Sequence, residues 1–317
     1  LISIPVFSKF SNAKITEIID AGGARLKTRG WLAPYLLLSL TWGLSFMFIE
    51  IALPVFSPFG IAFIRNLLGA AVLWSYLFYK KIPIPRDRSV FGWIFLIGLC
   101  SNIIPVVIVP FAQTEVTSSL TGIVNAMSPI FAVIFTLLLF KHEAVKPIQI
   151  FGILLAFFGV AIVFGIWDIE SAPWWAYLFL LIAVTSFGLV APIIAKYIAP
   201  KNYPPVALAT IQVTIAAVVL FPTFVLFGFN SYDFSFAPII AITIIGVFST
   251  GFAFAWNYRI VALVGSSVAA TVNFVSPIVA VIAGVIVLNE PLTWNEPVGG
   301  AIVILGNAIT QRSRAVK

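Results

Sequence analysis

Charge is scarce in this chain. Of its 317 residues only 9% are Asp, Glu, Lys or Arg, against 61% that are hydrophobic, whereas a soluble domain carries about 25% charged residues. A solvated surface cannot be built from so little, so lipid must be the solvent for most of the molecule. Cysteine is rarer still: Cys100 stands alone, which rules out an intrachain disulfide. The one histidine, His142, falls in a loop between apolar runs and is poorly placed for a proton relay. No glycine-rich, lysine-bearing phosphate loop is present, which argues against direct ATP hydrolysis.

Long apolar runs are what the chain has instead. Stretches such as "GILLAFFGVAIVFGI" are continuously apolar, without the alternation of a barrel strand, so they read as helices. An apolar helix of about 20 residues spans a bilayer. Runs bounded by charge, Pro or Gly predict an all-α integral membrane protein with ten spans at 31–53, 58–79, 90–112, 116–140, 147–167, 174–198, 205–228, 236–256, 264–288 and 296–311. Residues 1–30 read as a basic tail, with neither the apolar core of a signal peptide nor a span, and residues 312–317 as a second tail.

On this plan, seventeen of the eighteen Lys and Arg fall on one face of the membrane, and Arg65 lies inside span two. Glu115, Asp168, Glu170, Asp233, Glu290 and Glu296 collect on the opposite face. Positive residues stay inside, which predicts a multi-pass protein of the cell's inner (plasma) membrane with both termini cytoplasmic. The formal charge of +7 is then a topology signal that needs no nucleic-acid partner.

The chain also repeats itself. Ser118–Ile134 and Ser266–Ile282 share ten of seventeen residues, including Asn125 with Asn273, Ser128 with Ser276 and Pro129 with Pro277. Arg65 pairs with Gln212, Gly98 and Ser101 with Gly246 and Ser249, and Gly152 and Gly159 with Gly299 and Gly306. Two five-span repeats follow, 31–167 and 174–311. Five is odd, so the second must enter the membrane from the other side. Inverted repeats characterise secondary transporters.

The duplicated phrase N-x-x-S-P would lie about 14 Å deep in each half, close to the midplane of a roughly 30 Å core. One reading is a proline kink that shapes packing. The other is a central polar cavity lined by Asn125, Ser128, Asn273 and Ser276, with Pro129 and Pro277 freeing backbone groups beside it. Trp42, mid-span, is either a stacking wall or lipid-facing. Asn102 in span three is the best further cavity candidate. Asn257 and Tyr258 read as interface anchors, and Gln113 as solvated. Glu143 and Glu290 would each favour the positive end of the following helix.

Arg65 costs about 2.5–3.5 kcal/mol in an apolar span and needs a partner. Glu50, near the outer end of span one, is the expected one, the pair serving as a structural clamp, or else in an outer gate or in binding a charged substrate group.

At this point the sequence resembles a known family. "TWGLSFMFIEIAL", Arg65, the ending "SSL…N…SPIFAVIF…HE…GILLAFFGVAIV" and its echo "SSV…N…SPIVAVIAGVIVLNEP…GGAIVILGNAI" are similar to the EamA-type members of the drug/metabolite transporter superfamily, over residues 31–311. The resemblance implies a ten-helix bundle, alternating access and a cavity lined by spans one, three, four, six, eight and nine. Members export amino acids and other small metabolites; relatives carry nucleotide sugars or sugar phosphates. Glu50 departs from the family, which often has Lys eight positions after the Trp of "WG".

The expected function is export of small metabolites, with a small-molecule substrate and the lipid bilayer as partners, protons as a candidate coupling ion, and no cofactor or metal. A proton-coupled exporter of lipophilic cations working through Glu50 is the alternative. An integral membrane enzyme is third, since one His, one Cys and no paired intramembrane carboxylates supply little catalytic machinery.

Overall fold

The computed structural model describes residues 30–139, 147–165, 172–231, 235–264, 269 and 271–312. The basic tail up to residue 29, Glu143 with its neighbours Lys141, His142 and Lys146, the acidic Asp168, Glu170 and Asp233, Ser266 and Ser267, and residues 313–317 lie outside them.

The described chain is helical, and its only strand-like pairing is an isolated bridge between Phe56 and Phe229. In chain order the helical rods are α1 (Leu32–Ala52), α2 (Pro58–Lys80), α3 (Arg88–Ala112), α4 (Ser118–Leu139), α5 (Pro147–Val163), α6 (Trp174–Lys201), α7 (Pro205–Phe227), α8 (Phe236–Val261), α9 (Val272–Val287) and α10 (Asn295–Arg312). Seven of them are long and apolar enough to cross a membrane: α1, α2, α3, α4, α6, α7 and α8. α5 and α9 are apolar but shorter. The molecule is therefore an all-helical, multi-pass membrane protein.

The helices start where the chemistry allows. Ser57 caps α2 by accepting from the Gly60 amide at 3.1 Å, and Pro58 takes the first helical position, where no donor is needed. Thr117 caps α4 through the Leu120 amide at 3.2 Å. Asp87 caps α3 through the Ser89 amide at 2.9 Å and is itself clamped by Lys201 at the end of α6, at 2.5 Å. The turn between α1 and α2 is tied to the chain after α7 by Asn230, whose amide nitrogen donates to Leu53 O at 2.8 Å, and by Ser57 Oγ donating to Phe227 O.

Several rods are irregular inside. α4 is interrupted at Ala126–Met127, between the segments Ser118–Asn125 and Ser128–Leu139. Leu99–Ile103 of α3, Ile194–Ile198 of α6 and Ile245–Phe252 of α8 widen into π turns, a deformation frequent at functional sites. α9 is described from Val272, and residues 265–268 and 270, in the first part of the expected span 264–288, lie outside the described residues.

The most extensively packed helix pairs are α5 with α10, α3 with α6, α2 with α7, α1 with α8, α4 with α6, α2 with α8, α1 with α9 and α4 with α9. α5 and α10 run antiparallel along a glycine seam. A Cβ on Gly159 would come within 2.8 Å of the Gly299 carbonyl oxygen, and one on Gly152 within 2.7 Å of that of Gly306. No side chain fits there, and the absence of one lets the backbones touch.

Candidate functional site: a cavity beside a broken helix

A cavity of about 430 Å³ lies between α1, α3, α4, α6, α8 and α9, with Arg65 reaching it from α2. On α1, Trp42, Ser45, Phe46 and Ile49 face it, three or four residues apart and so on one stripe. Trp42 meets Phe254 of α8 edge-on at 6.2 Å. The lining continues through Ile194, Ala195, Ala199, Asn257 and Val261 toward the end of the molecule that carries Lys201 and Arg259.

The interruption of α4 opens one wall. Pro129 has no N–H, so the carbonyl of Asn125, four residues back, loses its helical donor. Ser128 replaces that donor: its Oγ lies 2.7 Å from Asn125 O and 3.3 Å from Asn125 Oδ1. Asn307 of α10 donates from its amide nitrogen to Ala126 O, holding the break in place. Asn125, Ser128, Pro129 and Asn273 line the cavity. Ser276 and Pro277 do not: Ser276 is buried, with its Oγ donating to Val272 O at 3.0 Å. Here α9 packs on α1 so closely that a Cβ on Gly43 would lie 2.6 Å from Ser276 O.

Asn102 is likewise not on the cavity wall. It is 1% exposed and sits in a closed polar cluster. Its amide nitrogen donates to Asn66 Oδ1 at 2.9 Å, and its Oδ1 accepts from Ser101 Oγ at 2.8 Å and Gln212 Nε2 at 2.7 Å. Tyr258 belongs to the same cluster through its hydroxyl, which donates to Gln212 Oε1 at 2.7 Å. It is a buried crosslink between α7 and α8, not an interface anchor, and it is Asn257 that lines the cavity. Ser45, Asn66, Thr250 and Asn307 are polar residues that the sequence reading did not single out. Thr250 could have been found by extending the Ser101–Ser249 match one residue, which pairs it with Asn102.

The expected Glu50–Arg65 ion pair is not formed. Arg65 is 8% exposed and donates from Nε to Thr250 Oγ1 at 3.0 Å, on the side of α2 that packs on α8. Glu50 lies on the α9-facing side of α1, within electrostatic reach of Glu290. Depth from the membrane edge was similar for both residues, but the helices turn them toward different neighbours.

Glu290 also departs from expectation. Its carboxylate serves α4 rather than the following helix: it accepts from the Ser118 and Ser119 amides at 2.9 and 3.0 Å and from Ser119 Oγ at 2.5 Å. An anion on the free amides of a helix start is favoured by hydrogen bonding and by the helix dipole. Around it the acidic end of the molecule is tightly closed. Gln113, expected in solvent, is 2% exposed and donates to Phe46 O at 2.9 Å. Glu50 Oε2, Gln113 Oε1, Ser118 Oγ and Glu296 Oε2 are buried there with no hydrogen-bond partner.

A bundle of apolar helices enclosing a small amphipathic cavity beside a broken helix is the architecture of a membrane transport protein. The sequence comparisons give the family. The EamA-like transporter family matches residues 30–165 and again 174–311. The chain belongs to the EamA-like transporter family. Among similar proteins are an uncharacterized transporter of Archaeoglobus fulgidus, 26% identical over 88% of this chain and 99% of its own. The uncharacterized transporters YcxC and YoaV of Bacillus subtilis are 27% and 21% identical, over 86% and 84% of this chain and 89% and 92% of theirs. A solved protein structure superimposes with a TM-score of 0.61 over 91% of this chain and 99% of that one, at 16% identity, a likeness of fold alone.

Proposed function

We propose that the protein is a secondary transporter that exports small metabolites, amino acids or molecules like them, across the cytoplasmic membrane by alternating access of two inverted five-helix halves. The observation that carries this reading is the cavity itself, walled by Asn125, Ser128 and Pro129 from one half and by the repeat-related Asn273 from the other, and running toward one end of the bundle while the described residues at the other end are closely packed. The packing supports the inversion. Exchanging the halves carries the contact of Gly43 with Val279 onto that of Gly188 with Phe131, and the contact of Gly246 with Arg65 onto that of Gly98 with Gln212. It also carries the Arg65–Thr250 bond onto Gln212–Asn102 and the Gly152–Gly306 contact onto Gly299–Gly159. The two family matches, one per half, fit the same reading.

In this arrangement the basic end is cytoplasmic, with both termini, and the conformation is the one facing the cell interior. Substrate enters beside Trp42, Asn257 and Asn273. The acidic end, latched by Glu290 on α4, is the outer gate. Either the substrate gradient or protons drive the cycle. An exporter of lipophilic cations is favoured less, because Glu50 is off the cavity and the cavity's charged group is the cation Arg65.

A metabolite-toxicity screen in cells expressing the protein, followed by uptake and counterflow in proteoliposomes, tests the reading. Protection from at least one amino acid or related metabolite, with saturable counterflow of the same compound, is expected. Liposomes no more permeable than protein-free ones to every compound that the cells tolerate would overturn it.

A further inference from the structure

The two halves provide an internal control for Arg65. Its mate Gln212 occupies the equivalent place on α7, is 1% exposed, and spends its amide entirely within the protein. The amide nitrogen donates to Ser101 Oγ and Asn102 Oδ1, and the oxygen accepts from Tyr258. The fold thus asks for a polar side chain at this position and satisfies it. Arg65 exceeds that need. It has five N–H donors, and among the described residues only Nε has an acceptor, Thr250 Oγ1. That bond anchors the guanidinium plane and leaves the two terminal nitrogens for the cavity, which Arg65 lines.

Among the described residues no carboxylate pairs with Arg65. Among the described lining residues there is neither Asp nor Glu; Glu50, Glu290 and Glu296 are grouped at the closed acidic end. An uncompensated cation in a largely apolar cavity is costly, and an anion with two oxygens matches the free edge of a guanidinium by paired hydrogen bonds. The remaining wall is mostly aliphatic, of Val, Ile, Ala and Pro, with Ser and Asn side chains (Ser45, Asn125 and Asn273 among them) and aromatic ones, including Trp42, Phe187 and Phe254. Its volume is near the lower end of the roughly 300–1,000 Å³ usual for ligand pockets.

Resting on the transporter reading above, we infer that the substrate is a small organic anion, a carboxylate with an apolar or aromatic body. Its carboxylate is held by the terminal nitrogens of Arg65 and its body lies against Trp42 and Phe254. An amino acid meets this description through its carboxylate; its ammonium would have only Asn and Ser oxygens and ring faces to meet. A lipophilic amine does not meet it.

The test uses the full-length protein in lipid nanodiscs and four probes of one shape: 3-phenylpropionate, L-phenylalanine, 3-phenylpropan-1-ol and phenethylamine. Binding is read by thermal shift and by calorimetry. The wild type should bind 3-phenylpropionate at least about tenfold more tightly than the alcohol, with phenethylamine weakest, since a hydrogen bond to a charged group supplies that much. Arg65→Gln, which copies the residue the other half accepts, should lose that preference while retaining affinity for the alcohol; Arg65→Lys should recover part of it. Equal affinity for propionate and alcohol, a preference unchanged in Arg65→Gln, or no binding of any probe by the wild type would each overturn the assignment. If Arg65→Gln does not fold, Thr250→Val gives the second arm: release of Nε should weaken propionate binding and leave the alcohol unaffected, and an equal loss of both counts against the site. Counterflow of bound probes separates the two readings. A protein that binds the anion without moving it retains the site and loses the transporter; one that moves phenethylamine in preference retains the transporter and loses the anion site.

Discussion

At the scale of single residues, the break in the N-x-x-S-P phrase of α4 is explained by one missing hydrogen; in α9 the matching Ser276 donates to Val272 O instead. Pro129 withholds a donor from Asn125 O, and Ser128 supplies one, so the break in α4 is stable without water. Pro129→Ala restores the donor and should let α4 run through as one helix. Counterflow is expected to fall about tenfold or more with the melting temperature unchanged or raised, since a barrier of about 1.4 kcal/mol suffices. Glu290 makes a complementary prediction. Glu290→Gln removes the charge from the start of α4 and should weaken closure of the acidic end by about 1–2 kcal/mol. Alkylation of Gln113→Cys, in a Cys100→Ser background, would then rise roughly five- to thirtyfold. Unchanged labelling would mean that Glu290 is no latch.

At the scale of elements, the glycines sort by what lies opposite them. A Cβ on Gly159 meets Gly299 and Val303 of α10 at 2.8 Å, while one on Gly92, at the exposed start of α3, meets nothing within 4 Å. Gly159→Leu should therefore lower the melting temperature through overpacking that costs about 1–3 kcal/mol. Gly92→Ala should leave it unchanged or raise it by the helix-propensity gain of about 0.5–1 kcal/mol. The clamp of Asp87 to Lys201 joins α3 to α6 at the basic end. Lys201, with the Ser89 amide, holds the Asp87 carboxyl below its ordinary value of 3.8. A depressed carboxyl contributes in full above its unfolded value and is lost as pH falls through its folded one. Lys201→Met should accordingly cost the same stability at every pH from about 5 to 8, and its difference from wild type should shrink only below 3.8.

At the scale of the whole molecule, closure of the acidic end leaves four buried polar atoms without partners, each at a cost of about 1–3 kcal/mol. On the proposed alternating-access cycle, water entering on opening would satisfy them and so lower the cost of opening this end. Cysteines introduced at Arg88 and Glu115 test the orientation: an impermeant thiol reagent applied to intact cells should label the second and spare the first. What the amino-acid sequence determined by itself is what depends on local composition and on order along the chain. Apolar runs set the helices, and recurring Asn, Ser, Pro and Gly marked the two stretches that the family model matches and four residues that line the cavity. What only the tertiary structure decided is which way each side chain turns. Glu50 and Arg65 share a depth yet face α9 and α8, Asn102 is spent inside a polar cluster, and Glu290 reaches back to α4. Depth follows from counting residues, whereas azimuth and partner follow from how ten helices pack together, an arrangement of contacts far apart in sequence.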